Sequence, residues 1–122
     1  STMRVADRLD HAIMVADALR QGRLSYPALQ QDIATSRAIE AELDPGPFNY
    51  IQQRAVREVN IINDLLDLAS RQHRGEDIGP DIERLSRAYR DYAFELPGGA
   101  NISEYYVDFA GQVAKLIGVR GW

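Results

Sequence analysis

Two histidines, one lysine and no cysteine make up nearly all the strongly nucleophilic or metal-binding chemistry in this chain. His11 and His73 are the imidazoles and Lys115 is the lysine. A di-iron or di-manganese site in a helical bundle requires Glu-x-x-His repeats, because carboxylates and imidazoles must converge on hard cations. Arg8 stands three residues before His11 and Ser70 three before His73, so neither histidine fits, and no metal or other cofactor is expected. A serine nucleophile needs a base and an oxyanion hole, yet there is no Gly-x-Ser-x-Gly turn. Without cysteine there is no thiolate nucleophile, thiolate metal site or disulfide. The glycines of Pro97-Gly98-Gly99 follow no strand and carry no lysine behind them, which argues against a phosphate-cradling loop. The pairs Asp64/Asp67 and Glu40/Asp44 lie one helical turn apart and can share a proton or a cation. Such pairs are usually solvated helix faces.

Overall charge narrows the partners. The formal net charge is −4 and the isoelectric point is near 5.1, which opposes the phosphate neutralisation that dominates nucleic-acid affinity. Nucleic acid is therefore disfavoured. Absence of cysteine fits a reducing, cytoplasmic setting. No apolar run approaches the roughly 20 residues that span a bilayer. Asp7, Arg8, Asp10 and His11 interrupt the first segment, so it does not read as a signal peptide. Ser1 and Thr2 before Met3 read as a cloning remnant, and residues 1–122 as one domain. Asn101-Ile102-Ser103 matches a glycosylation sequon, here without a secretory signal to give it meaning.

The elements that must position these groups are helices. Phe48, Ile51, Ala55, Val59, Ile62, Leu66 and Ala69 recur at steps of three and four, which predicts one long helix from Pro47 to Arg74. A first helix is expected from about Met3 to Gln21, with Val5, Leu9, Ala12, Ile13, Ala16 and Leu19 on one face. Met14, Val15 and Ala18 widen that face toward a second neighbour. Gly22 is placed as a stop. Ser25 is a candidate N-cap with Pro27 in the first turn of a second helix, which runs to near Leu43. Its stripe of Leu29, Ile33 and Leu43 is interrupted by Ser36 and Glu40. Asp44-Pro45-Gly46-Pro47 demands a reversal. Gly75 ends the third helix, and Pro80 opens a fourth whose Ile82, Leu85, Tyr89, Tyr92 and Leu96 repeat at heptad spacing. Asn101 with Glu104 has the form of a capping box. Ile102, Tyr106, Phe109, Val113 and Leu116 are then the expected core face of helix five, stopped by Gly118. The fold class is all-α: a compact four- to five-helix bundle around one long central helix, about 47–74.

At ~1.5 Å per residue the central helix would be about 40 Å long against partners of about 25 Å. Either it packs on two helices in succession or another subunit covers the excess. Val56, Ile61, Leu65 and Leu68 lie beside its main stripe; in the first case they are core, and in the second they are the interface of a homodimer. Tyrosine and tryptophan suit half-buried contact surfaces, which singles out Tyr50, Tyr105 and Trp122 as interface candidates and leaves Tyr89, Tyr92 and Tyr106 for the core. Arg84, Arg87 and Arg90 align on the polar side of helix four. Arg87 and Arg90 there are candidates for docking an acidic partner.

The segment Ile61-Ile62-Asn63-Asp64-Leu65-Leu66-Asp67-Leu68-Ala69-Ser70 resembles the second helix of the dimerisation and phosphotransfer domain of sensor histidine kinases. The resemblance implies a dimeric four-helix bundle and a phosphorylated histidine, for which His11 is the counterpart. His11 is followed by Ala12-Ile13-Met14-Val15, where that family carries an acidic residue, a basic residue, threonine and proline. The leading expectation is a small non-catalytic protein-protein interaction module such as an adaptor, assembly factor or inhibitor, with no catalytic residues. The alternatives are phosphotransfer through His11 and a bundle that binds an apolar small molecule between its helices.

Overall fold

The computed structural model describes residues 5–43, 49–95 and 104–122. These form helices α1 (Val5–Arg20), α2 (Tyr26–Ala41), α3 (Tyr50–His73), α4 (Gly79–Tyr92) and α5 (Tyr105–Ile117), with a short 3-10 turn over Ala93–Glu95. Among the described residues there is no strand, and the chain is an all-α bundle. No described helix is long and apolar enough to cross a membrane.

Local chemistry fixes the helix ends. The Ser25 hydroxyl accepts from the Ala28 N–H at 3.4 Å, and Asn49 Oδ1 accepts from the Gln52 N–H at 3.1 Å at the start of α3. Gly22 and Gly75, both expected as stops, have φ of 71° and 89°. Gly118 closes α5 with φ 94°, and the Ala114 carbonyl accepts from both Gly118 and Val119 at 2.9 and 2.8 Å. A Cβ at residue 118 would stand 2.8 Å from Arg20 Nη1. That guanidinium donates to the Ile117 carbonyl at 2.5 Å and so helps tie α1 to α5. Gly118→Ala therefore combines backbone strain with displacement of Arg20, and a loss of about 1–2 kcal/mol is expected from denaturant melts. The capping box is only partly observable: Asn101 lies outside the described residues, and Glu104 makes no side-chain cap. Phe48, Leu96 and Ile102 also lie outside them.

Helix α3 is central. It packs against α1, α2 and α5 and reaches α4 through Tyr89 and Asp81. Val59, Ile62 and Leu66 are buried as the stripe requires, while Ile51 at its start is 79% exposed. Arg57 meets Glu95 of the 3-10 turn, so α3 begins about 10 Å before that level at ~1.5 Å per residue. Among the described residues the expected overhang is confined to this first stretch of α3, and α5 reaches into it at Tyr105, whose ring lies 5.6 Å from Arg54.

Its second apolar flank is not an overhang. Ile61, Leu65 and Leu68 are 0–2% exposed within the single chain, which corrects their assignment to a homodimer face. Val56 is half-buried. Surrounding α3 with helices on several sides consumes a wide apolar arc inside one chain. Helix α5 is rotated from its expected phase. Tyr106, Ala110, Val113, Ala114 and Ile117 are buried, whereas Leu116 is 52% exposed. Small Ala110 and Ala114 let α5 approach closely, which turns Leu116 outward.

Candidate functional site

The polar residues that interrupt the apolar stripes converge inside the bundle. Arg8 occupies the core face of α1, between Val5 and Ala12, and is fully buried. Its Nε donates to Asn63 Oδ1 at 2.8 Å and its Nη2 donates to the same oxygen, while Nη1 donates to Asp32 Oδ2 at 2.8 Å. Asn63, also fully buried, passes the network on by donating through Nδ2 to Ser36 Oγ at 3.1 Å. At the solvent edge His11 Nε2 hydrogen-bonds Asp32 Oδ1 at 2.9 Å. One cluster thus ties α1, α2 and α3 together.

A second cluster joins α2, α3 and α4. Asp64 accepts from Tyr89 Oη and from Arg37 Nη2, both at 2.6 Å. Burial, reinforced by the Asp64 carboxylate, pushes the Tyr89 hydroxyl well above the ordinary phenol range, so it stays a protonated donor. Gln30 donates to Asp67 at 2.7 Å. Asp64 and Asp67 are therefore held by separate partners and do not form a shared proton site.

These arrangements bind groups to one another more than they prepare them to react. Ser36 Oγ receives a hydrogen bond from an amide and has no imidazole beside it. His11 contacts a carboxylate, and for Nε2 to accept a phosphoryl group Asp32 must leave and tolerate a second anion nearby. His73 stands in the last turn of α3, beside Leu19 and Arg20 at the end of α1. Among the described residues no three histidine, aspartate or glutamate side chains gather as metal ligands.

Two glutamates are raised above the ordinary carboxylate range by burial: Glu40, and Glu58, where Arg54 and Tyr105 oppose the effect. Glu40 is 3% exposed and its Oε1 finds no hydrogen-bond partner among the described residues. Because the folded value exceeds the unfolded one, wild type loses stability as pH rises from about 4.5 through the folded value. Glu40→Gln should escape this loss and stabilise the protein by about 1 kcal/mol at pH 7. Melts at stepped pH should show the advantage shrinking to nothing below the ordinary glutamate value.

The remaining candidates are surface groups, and the structure brings only some of them together. Arg90 and Trp122 line an open groove between α4 and α5, with Val107, Asp108, Gly111 and Lys115. Trp122 stacks on Tyr89 with ring centroids 5.9 Å apart, and Gly111 leaves room beneath its indole. Arg90 reaches Glu104 at only 3.5 Å. Lys115 makes no ion pair among the described residues, although sequence reading gave this lysine no role. Arg87 is paired with Glu83 one turn away at 2.5 Å and stands on the exposed side of α4. Tyr105 turns toward α3, where Arg54 lies 5.6 Å from its ring. Tyr50 is partly exposed at the start of α3. No family model matches this chain, and neither a curated protein nor a solved structure matches it.

Proposed function

We propose that this chain is a small non-catalytic interaction module whose α4–α5 groove receives an acidic segment of another protein. The observation that carries this reading is the groove itself, where the Trp122 indole is flanked by a weakly paired Arg90 and by Lys115, which makes no ion pair among the described residues. Arg90 and Lys115 outnumber the one carboxylate of the lining, Asp108, and an aromatic side chain beside two cations offers apolar contact and charge-assisted hydrogen bonds to a carboxylate in one place. By contrast, His11, Asp64 and Ser36 are engaged inside the chain. An adaptor, an assembly factor or an inhibitor would each use such a surface.

Trp122 is the one tryptophan in the chain, so its fluorescence reports occupancy of the groove directly. Titration with an array of acidic peptides should shift this emission for a subset of them. Binding should weaken with salt and fall at least roughly tenfold in Arg90→Glu/Lys115→Glu, as expected for removing close charge partners. An emission change that is insensitive to salt and to the double variant would reject the groove as the site.

A further inference from the structure

Apart from the contact of His11 with Asp32, the outer face of α1 around Met14 meets no other helix among the described residues. Met14 is 68% exposed and shares a helical strip with His11 and Ala18, three residues before and four after it. Val15 and Ala18, with Leu24 from the following turn, form an apolar groove beside Met14 that His11 and Arg23 flank. Projection and groove therefore belong to one element. Self-recognition about a two-fold axis requires this, because the same patch must serve both copies.

Charge selects the orientation. Asp7 and Asp10 lie in the first half of α1 and Arg23 lies just beyond its end, where Gln21 holds the Arg23 Nε at 2.9 Å. None of the three makes an ion pair among the described residues. In an antiparallel pair centred on Met14, residues equally far before and after it face each other. Asp7 then faces Gln21, whose side-chain oxygen accepts from Arg23 Nε and so keeps that cation at this end of the helix. His11 faces Asp17, and Asp10 faces the small Ala18. A parallel pair would instead set acids against acids. We propose that a second copy of this chain docks antiparallel on α1, with Met14 of each copy seated against Val15, Ala18 and Leu24 of the other.

One helix pair buries less than the roughly 1,200 Å² of a standard interface, so the association is weak and a covalent trap suits it. The chain has no cysteine, and Met14→Cys places a single thiol beside the two-fold axis. Under mild oxidation this variant should form disulfide-linked dimer at least roughly tenfold faster than Leu116→Cys, because docking raises the effective thiol concentration. Leu116, at 52% exposure on α5, is a comparably accessible control. Sedimentation of the wild type should show a reversible monomer–dimer equilibrium that Met14→Glu abolishes without lowering the melting temperature of the dilute monomer. Asp7→Arg should weaken the dimer, and adding Arg23→Asp should restore it. Equal cross-linking rates at the two positions, or a wild type that stays monomeric across the concentration range, would overturn the proposal. The groove reading is tested separately, since Arg90→Glu/Lys115→Glu should leave this dimer intact and Met14→Glu should leave peptide binding intact.

Discussion

Arg8→Ala is expected to destabilise the fold by about 3–5 kcal/mol, the usual result of removing one member of a buried charged network. The guanidinium is fully buried and makes three of the hydrogen bonds that hold α1 to α2 and α3. Its loss leaves Asn63 Oδ1 without either of its donors in a site closed to water. Asp32, whose side chain is 30% exposed, recovers part of its cost through solvent, which points to the lower half of the range. His11→Ala provides the internal comparison. Its side chain is 46% exposed, so losing the exposed contact with Asp32 should cost less than about 1 kcal/mol. Urea melts of the two variants separate the readings. Equal and small losses would mean that the cluster contributes little and that Arg8 is buried only as a hydrocarbon stem.

Sequence pattern carried the helices and their ends because those depend on neighbours in the chain. Ser25 with Pro27, Gly22, Gly75 and Gly118 act within one turn, and each stands at the boundary its chemistry implies. Three-dimensional partners are a different matter. Arg8 and Asn63 are separated by 55 positions, and nothing local distinguishes a buried arginine from a solvated one at the edge of a stripe. The clue was positional: Arg8 falls in phase with Ala12, and Ser36 and Glu40 fall in phase with Ile33, so all three had to enter the core with α1 and α2. The breadth of α3's apolar arc was legible, but its meaning depended on how many helices surround it. Met14, Val15 and Ala18 show the converse, since they read as facing a second neighbour and the described residues supply none over Met14. Arg90 and Trp122 were recognisable singly. Their meeting with Lys115 required α4 and α5 to be brought side by side.

Leu65→Ala should cost about 2–5 kcal/mol, and the form of the loss matters as much as its size. Leu65 is fully buried in the core of one chain. Truncation removes apolar burial and leaves a cavity among helices that cannot fully collapse onto it. The loss must therefore appear at every protein concentration, with the melting temperature falling by the same amount in dilute and concentrated samples. A residue that stabilises the fold through a subunit interface behaves differently, because mass action makes its effect depend on concentration. Met14→Glu supplies that contrast, since it should alter the solution mass while leaving the monomer's melting temperature unchanged. If Leu65→Ala instead produced a folded monomer whose deficit disappeared on dilution, α3 would be the interface after all. The burial of Ile61, Leu65 and Leu68 predicts the opposite, with α3 holding the fold and α1 holding the second copy.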